Sequence, residues 1–255
     1  MTTENTVYVV TGGNRGIGLG LVKTLLARPS STVIATVRSE AAHRVLEEGV
    51  SAVTSGPGSS LHVVHLDFTS AVSPHTVLTA IQSTGVADRV DVLINNAGGP
   101  YPMVAALETE AQHMRQAFET NTIAPLLVFQ GLWPLMRRSG VRKLAMISSS
   151  LASIGQMHVD MLPAGAYGPS RCAQNWLCRA LHLENHEANG LIVLALHPGW
   201  VQTRAGQLVA DDWHYAPGPP VTVEQSVEGL LRVIDGATKE TSGKFLSWQG
   251  KDVAW

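Results

Sequence analysis

The sequence predicts an α/β fold in which one doubly wound parallel sheet carries helices on both faces. Short β-branched apolar runs alternate along the chain with helical patterns, and each run is continuously apolar instead of alternating with polar residues. Continuous runs are typical of parallel strands covered on both faces. A repeated strand–helix–strand order indicates right-handed crossovers. The chain has no repeat or low-complexity linker, so we expect residues 1–255 to form a single domain.

Apolar runs account for the predicted strands. In chain order these are Val7–Thr11, Thr32–Val37, Leu61–Leu66, Val90–Asn95, Lys143–Ser148, Leu191–His197 and a final strand around Phe245–Leu246. Helical patterns between them include Leu19–Ala27, Glu110–Gln130 and Tyr167–Asn185. In the last of these, apolar residues recur at the spacing of one helix face: Ala173, Trp176, Leu177, Ala180 and Leu181.

The composition excludes several classes of protein. With 45% hydrophobic and 15% charged residues, the chain can bury a sizeable interior and does not resemble a disordered protein. A net charge of −2 offers no broad basic field for nucleic acid or an anionic membrane. No signal-peptide pattern occurs, and no run approaches the ~18 apolar residues of a membrane span. We therefore expect a cytoplasmic protein without nucleic-acid or membrane partners.

A glycine-rich turn joins the first strand to the first helix. Its sequence is Gly12-Gly13-Asn14-Arg15-Gly16-Ile17-Gly18. Small residues let the backbone turn tightly and approach a pyrophosphate at a helix N-terminus, where free N–H groups and the helix dipole attract anions. Glycines also simply make turns, but the place of this cluster between strand and helix favours a dinucleotide site of the Rossmann type.

The end of the second strand indicates which dinucleotide binds. An NAD enzyme places Asp or Glu there to accept hydrogen bonds from the ribose hydroxyls. This chain has Arg38 at that point, and Arg15 lies in the glycine-rich turn. Two guanidinium groups suit a 2′-phosphate, although solvated surface arginines are the alternative. Their positions favour NADP(H) as the cofactor.

These motifs are arranged as in the short-chain dehydrogenase/reductase family, which the chain resembles over nearly its whole length. Thr11-Gly12-x-x-x-Gly16-x-Gly18 is similar to the family's cofactor motif, and Asn95-Asn96-Ala97-Gly98 is similar to the motif that steadies the sheet beside the cofactor. Within the family, the chain most resembles fungal ketoreductases of aromatic polyketide pathways. The resemblance implies an NADPH-dependent ketoreductase that acts on a hydrophobic, polycyclic or aromatic carbonyl.

The resemblance also implies which residues bind the cofactor. Asp67 matches the adenine-binding acid of the family, and His197–Thr203 is similar to the segment that holds the nicotinamide amide. The whole implied set is Gly12, Asn14, Arg15, Gly16, Ile17, Gly18, Arg38, Asp67, Asn95, Ala97, Gly98, Tyr167, Arg171, Pro198, Gly199, Val201 and Thr203.

Three further residues match the family's catalytic Asn, Ser and Tyr, namely Asn121, Ser149 and Tyr167. Reduction of a ketone needs a hydride on carbon and a proton on oxygen, and a phenol delivers that proton at neutral pH when a nearby cation favours its phenolate. The serine hydroxyl would hydrogen-bond the substrate oxygen. Because Ser148 and Ser150 are adjacent, the choice of Ser149 depends on the resemblance.

The main departure from the family is Arg171, where the usual Tyr-x-x-x-Lys motif has lysine. Residues i and i+4 share a helix face, so Arg171 keeps a cation beside Tyr167 that can also donate to ribose hydroxyls. Arginine is effectively never deprotonated and cannot copy a lysine proton relay. Either the protein is a slower or specialised reductase, or redox activity has lapsed and the pocket guides a non-redox cyclisation. The retained Asn121, Ser149 and Tyr167 favour the reductase.

Three other features each allow two interpretations. His182 and His186 have the i, i+4 spacing of metal ligands but no evident third ligand, and a solvated helix face without metal is favoured. The segment Ala205–Pro220 suits either a lid over the substrate or a bare solvent loop. A set of large side chains either lines an apolar substrate pocket or packs in the core: Met157, Met161, Trp200, Trp213 and Tyr215.

The helical patterns also bear on assembly. Glu110–Gln130 and Tyr167–Asn185 carry more apolar residues than one sheet face needs, and the family resemblance implies that they pair between subunits. We expect a homodimer or homotetramer. Cys172 and Cys178 lie six residues apart on one predicted helix and would point to different faces, so no disulfide is expected.

Overall fold

The computed structural model describes residues 5–70, 72–99, 101–158 and 163–255, and within them one seven-stranded sheet forms. The strands are β1 (Thr6–Val10), β2 (Ser31–Val37), β3 (Ser60–His65), β4 (Val92–Asn95), β5 (Lys143–Ile147), β6 (Ile192–His197) and β7 (Lys244–Ser247). They run parallel in the order β3-β2-β1-β4-β5-β6-β7. Each lies close to its predicted bounds, and the predicted doubly wound fold is confirmed.

Helices connect the strands and cover both faces of the sheet. They are α1 (Gly16–Ala27), α2 (Glu40–Val50), α3 (Pro74–Gln82), α4 (Ala111–Phe118), α5 (Ala124–Met136), α6 (Tyr167–Asn189), α7 (Arg204–Asp212) and α8 (Val223–Asp235). Short 3₁₀ turns occur at Ala106–Glu108 and Ser150–Ala152. None of the helices among the described residues has an apolar stretch of the length that a membrane crossing needs.

Successive residues of each strand enter two different apolar cores, one on each face of the sheet. On β1, Val9 belongs to the core formed with α3, α5 and α6, and Val10 belongs to the core formed with α1, α2 and α8. All seven residues of β2 are buried. Burial on both faces explains why the strands are continuously apolar in the sequence.

The predicted helix Glu110–Gln130 is interrupted. A π-helical turn at Glu119–Ile123 separates α4 from α5, and the helical segment continues to Met136. Pro125, near the start of α5, has no N–H to donate to the carbonyl oxygen four residues earlier, so the regular α-helical hydrogen bonds cannot run through this point. The π turn contains Asn121, and such turns occur frequently at functional sites.

Helix α6 buries only part of the face that the apolar spacing predicts, namely Leu181 at its far end. Trp176, in the predicted apolar face, is 70% exposed. The buried residues are mostly polar at the N-terminal end of the helix: Gly168, Ser170, Arg171, Gln174, Asn175, Cys178 and Leu181. A polar buried face indicates that this end of α6 serves a site, while Trp176 and Leu183 remain exposed on the helix.

Candidate functional site

A cavity of about 1410 Å³ opens at the carboxyl ends of the strands. Its walls come from the turn after β1 and from the segments that follow β2, β3, β4, β5 and β6. The strand order reverses between β1 and β4, and crevices at such a switch point are where doubly wound sheets bind their ligands. The cavity therefore has the position of a nucleotide-binding site.

The glycine-rich turn after β1 adopts a backbone conformation, with close backbone contacts, that excludes side chains at several positions. Gly12 and Gly16 have φ angles of +68° and +53°, a conformation that glycine adopts without strain. A Cβ atom on Gly18 would lie 2.1 Å from the carbonyl oxygen of Gly12. Helix α1 starts after Arg15 without a side-chain cap, so its first N–H groups stay available to an anion. This cradle fits the pyrophosphate of a dinucleotide.

Three charged side chains line one end of the cavity. Arg15 and Arg38 are exposed there, and Asp67 follows β3. One carboxylate oxygen of Asp67 accepts hydrogen bonds from the N–H and hydroxyl of Thr69, at 2.9 and 2.7 Å. These hydrogen bonds, helped by the charge of Arg38, lower the pKa of the Asp67 carboxyl. The group therefore offers a fixed anion that can accept a hydrogen bond from a ligand.

The segment after β4 is tied to the end of β1. The Thr11 hydroxyl accepts hydrogen bonds from the backbone N–H groups of Asn96 and Ala97, at 3.0 and 2.9 Å, and the Asn96 amide donates to the Thr11 carbonyl at 2.9 Å. Asn96, Ala97 and Gly98 line the cavity. Asn95 does not line it, because its amide donates into the protein interior, to the Pro125 carbonyl at 3.0 Å.

Three neighbouring serines after β5 make different contacts. The Ser148 hydroxyl is buried and donates its proton to the Asn175 side chain at 2.6 Å. Ser149 caps the following 3₁₀ turn by accepting the Leu151 N–H at 3.2 Å, so its own O–H stays free to donate. All three serines line the cavity, and Ser149 presents there a hydroxyl that can donate to a ligand oxygen.

Tyr167 begins α6, and Arg171 follows one helical turn later. The guanidinium carbon of Arg171 lies 5.4 Å from the centroid of the Tyr167 ring. Arg171 is only 5% exposed, and its Nη1 donates to the Ile147 carbonyl and to the Gln174 side chain, both at 2.9 Å. Both Tyr167 and Arg171 line the cavity. The site therefore contains a phenol with a fixed cation against its ring.

Asn121 lies behind the cavity and does not line it. It is fully buried in the π turn, accepts the Gly99 N–H at 3.3 Å and donates to the Ser170 hydroxyl at 3.1 Å. Through these bonds it connects the segment after β4 to the first turn of α6. In this arrangement Asn121 positions the elements that carry Gly98 and Tyr167.

His197, at the end of β6, is a site residue whose own role the sequence analysis does not identify. It lines the cavity, and its Nδ1 accepts the backbone N–H of Ser150 at 3.1 Å. An accepting Nδ1 places the ring proton on Nε2. Burial lowers the pKa of His197 to about 4, so the ring is neutral at physiological pH. The sequence signals are its place at a strand end and its membership of the segment His197–Thr203, which resembles the nicotinamide-binding segment of the family.

The segment after β6 completes the cavity wall. Pro198, Gly199, Val201 and Thr203 all line the cavity, and Gly199 has a φ of +86°. The Thr203 hydroxyl accepts the Gly206 N–H at 3.0 Å and caps α7. Of the two interpretations of Ala205–Pro220, the bare solvent loop is wrong for the first part, because α7 runs to Asp212 and several of its residues line the cavity.

Large aromatic side chains form one side of the cavity. The Trp200 ring centroid lies 5.6 Å from that of Trp213 and 5.1 Å from that of Tyr215. The indole nitrogens of the tryptophans donate to the Gly206 and Pro163 carbonyls, which holds the rings in place. Trp200 and Trp213 line the cavity, whereas Met157 is exposed. Met161 lies outside the described residues.

The sequence favours a solvated helix face for the histidine pair of α6, and the structure differs from this expectation. His182 and His186 are half-buried, with ring centroids 4.6 Å apart. Nδ1 of His182 lies 2.8 Å from the Ser242 hydroxyl, and Nδ1 of His186 lies 3.1 Å from the Leu191 carbonyl. The pair packs against neighbouring segments because α6 lies beside β6. Cys172 and Cys178 on the same helix are free thiols.

Comparison with known proteins agrees with this geometry. The family model of the short chain dehydrogenases matches residues 6–213. A short-chain dehydrogenase of Neurospora crassa, srdF, is 38% identical, with 99% of each chain covered. The norsolorinic acid ketoreductase nor1 of Dothistroma septosporum is 36% identical over 99% of this chain and 94% of its own. The NADPH-bound carbonyl reductase from chicken fatty liver superimposes with a TM-score of 0.80 at 31% identity, covering 99% of this chain and all of its own.

Proposed function

The chain belongs to the short-chain dehydrogenase/reductase family of oxidoreductases, and on that premise we propose that it is an NADPH-dependent ketoreductase acting on hydrophobic, polycyclic or aromatic ketones. The observation that carries this proposal is that one cavity combines the glycine cradle, the Tyr167–Arg171 pair, Ser149 and an aromatic wall. A cofactor, a proton donor and an apolar substrate can therefore meet in one place.

The residues present fit NADP(H). The glycine cradle and the uncapped start of α1 would hold the pyrophosphate, Asp67 the adenine end, and Arg15 with Arg38 the 2′-phosphate. The related carbonyl reductase from chicken was crystallised with NADPH, which supports the same choice here. When bound, NADPH supplies the hydride that reaches the carbonyl carbon.

Tyr167 and Ser149 would act on the carbonyl oxygen of the substrate. The free O–H of Ser149 donates a hydrogen bond that fixes the oxygen, and Tyr167 transfers its proton to that oxygen as the alcohol forms. The Arg171 guanidinium, held by Ile147 and Gln174, stabilises the negative charge left on the phenolic oxygen. Because arginine keeps its protons, we infer that Tyr167 regains its proton from solvent in the open cavity and not through residue 171.

The aromatic wall supports the substrate class. Trp200 and Trp213 present rigid ring surfaces whose indole N–H groups are already hydrogen-bonded to the backbone, so the remaining surface is apolar. Flat aromatic substrates stack on such surfaces. Two fungal relatives, from Dothistroma septosporum and Aspergillus parasiticus, are norsolorinic acid ketoreductases. We therefore propose a polycyclic phenolic ketone as the substrate.

The decisive experiment uses the purified full-length protein, NADPH and a panel of polycyclic phenolic ketones, with products identified by mass spectrometry. A reductase forms a product with two additional hydrogens and consumes one equivalent of NADPH for each product molecule. A panel that includes matched ketones without the aromatic rings tests the substrate class. Turnover of the aliphatic members alone would contradict the aromatic assignment but leave the ketoreductase assignment in place.

One observation favours a second candidate function, a non-redox cyclase on the same scaffold. Arg171 replaces the usual lysine and is anchored in the interior by its two hydrogen bonds. A cyclase would form a product isomeric with its substrate and consume no NADPH. The variant Arg171→Lys separates the two functions. A reductase with the restored family motif keeps or increases its rate, whereas a cyclase shaped around the guanidinium loses its product.

A further inference from the structure

Two histidines and a glutamate converge at the surface where α2 packs against the end of β3. Glu40 and His43 lie in the first turn of α2, and His65 is the last residue of β3. Nδ1 of His43 lies 3.2 Å from Nε2 of His65, and this Nε2 lies 3.8 Å from the nearer carboxylate oxygen of Glu40. One ligand atom from each residue falls within 4.8 Å of the other two.

These separations are those of ligands around one small cation. Zinc binds imidazole nitrogen and carboxylate oxygen at about 2.0–2.2 Å in tetrahedral geometry, which places neighbouring ligand atoms about 3.3 Å apart. The nitrogen pair already has this spacing. The Glu40 carboxylate oxygen lies within 4.8 Å of both nitrogens, and because this side chain is exposed it can rotate closer to them. Because the three residues lie at the surface, a water molecule can fill the fourth coordination position of the ion.

A fourth residue, Glu47, contacts the side of the His43 ring that faces away from His65. Nε2 of His43 lies 3.5 Å from a carboxylate oxygen of Glu47, one turn further along α2. If Nδ1 of His43 binds a cation, its Nε2 carries the ring proton and donates towards Glu47. Histidines that bind metals commonly donate their second ring N–H to a carboxylate, which orients the ring and strengthens its basicity.

We propose that Glu40, His43 and His65 form a binding site for a divalent transition-metal ion of the zinc type, with Glu47 positioning His43. A donor set that contains imidazole nitrogen binds such ions in preference to magnesium and calcium, which favour oxygen ligands alone. The bound ion links the first turn of α2 to the end of β3. Only Ala42 and Leu46 of α2 are buried, so this helix has little other anchorage. Zinc binding therefore stabilises the folded chain.

The test is a calorimetric titration of the full-length protein, purified without a histidine tag, with zinc chloride. The unaltered protein binds one zinc ion, and zinc raises its melting temperature. His43→Gln and His65→Gln each weaken zinc binding at least tenfold and abolish the rise in melting temperature. Glu47→Gln weakens binding by about tenfold, because the oriented ring loses its charged partner. Circular dichroism of each variant verifies that the fold is intact.

The chain offers a matched control in its other close histidine pair. His182→Gln removes one ring of the His182–His186 pair and leaves the proposed site unchanged. This variant binds zinc as the unaltered protein does. The proposal is overturned if the unaltered protein binds no zinc at micromolar concentration, if His43→Gln and His65→Gln bind as tightly as the unaltered protein, or if His182→Gln abolishes binding. These outcomes are independent of the ketoreductase assay.

Discussion

The Arg171 guanidinium lies against the Tyr167 ring, with its carbon 5.4 Å from the ring centroid, and the same guanidinium leaves no room for a side chain at Gly98. A Cβ atom on Gly98 would lie 2.4 Å from Nη2 of Arg171 and 2.7 Å from the side-chain oxygen of Asn121. The arginine, the glycine and the asparagine therefore form one packed unit beneath Tyr167. Arginine at this position of the family motif therefore keeps the positive charge of lysine but changes how the unit packs.

The first prediction concerns the proton donor. Tyr167→Phe removes the hydroxyl and should lower the reduction rate by ~10²–10⁴, the usual effect of losing a positioned acid. NADPH binding should persist, since the cradle around Gly12 and Gly18 is untouched. Steady-state kinetics and NADPH fluorescence measure the two effects. If Tyr167→Phe forms product at the original rate and with the same NADPH dependence, Tyr167 is not the proton donor.

The second prediction follows from the packing at Gly98. Gly98→Ala should push the Arg171 guanidinium away from its partners and lower both the melting temperature and the reduction rate. A displaced buried hydrogen-bond partner costs about 1–3 kcal/mol of unfolding free energy. Gly99→Ala is the matched control, because a Cβ at that neighbouring position meets nothing within 4 Å. Equal melting temperatures for the two variants would contradict the packing argument.

The third prediction concerns cofactor preference. Arg38 directly follows β2, where NAD enzymes have an acid, and it lines the cavity. NADPH should therefore bind at least tenfold more tightly than NADH, a difference in binding free energy of about 1.4 kcal/mol. Arg38→Asp should remove much of this preference by repelling the 2′-phosphate. Fluorescence titration with both cofactors measures it. Arg44→Asp, at an exposed arginine of α2 that does not line the cavity, is the control for a general charge effect.

Some parts of this molecule are predictable from one sequence because they depend on short stretches of chain. Each parallel strand is buried on both faces, so its apolar run marks it directly, and the turn Gly12–Gly18 needs glycine at the positions with positive φ or close contact. The helix breaks where Pro125 lacks an N–H, but the π geometry around Asn121 also depends on contacts with Ser170 and Gly99, which are distant in sequence.

Other parts depend on contacts between distant segments and were not predictable. The i, i+4 spacing places Arg171 near Tyr167, but it does not reveal that Ile147 and Gln174 bind the guanidinium. The family resemblance places His197 in the nicotinamide segment, but it does not reveal the contact with Ser150, which comes from another strand end. For the same reason the set Glu40, His43 and His65 is not evident until β3 is placed beside α2.

The fourth prediction concerns assembly. Trp176 and Leu183 on α6 are 70% and 66% exposed, and they continue the apolar face that includes Ala173 and Ala180. We expect a second copy of the chain to cover this face in a two-fold symmetric homodimer or a tetramer. Light scattering should return a multiple of 27.2 kDa, and Trp176→Glu should shift the mass to that of one chain.

The control for assembly is Val141→Glu, which places the same charge on an exposed valine before β5. This variant should keep the mass of the unaltered protein. A mass of one chain for the unaltered protein at micromolar concentration would contradict the expectation, and so would a Trp176→Glu variant that still assembles.

The last prediction uses the buried imidazole of His197. Burial lowers its pKa from 6.5 to about 4 in the folded protein, while the unfolded chain keeps the ordinary value. Between these two pH values the unfolded chain binds more protons than the folded chain, so the free energy of unfolding falls as the pH falls from about 6.5 to about 4. The loss from this group amounts to about 3 kcal/mol. His197→Asn keeps an acceptor for the Ser150 N–H but does not titrate. In urea unfolding at pH 7 and pH 4.5, the variant should therefore lose less stability than the unaltered protein, whereas His75→Asn, at an exposed position of α3, should lose as much. Parallel losses for His197→Asn and the unaltered protein would mean that His197 is not held neutral by burial.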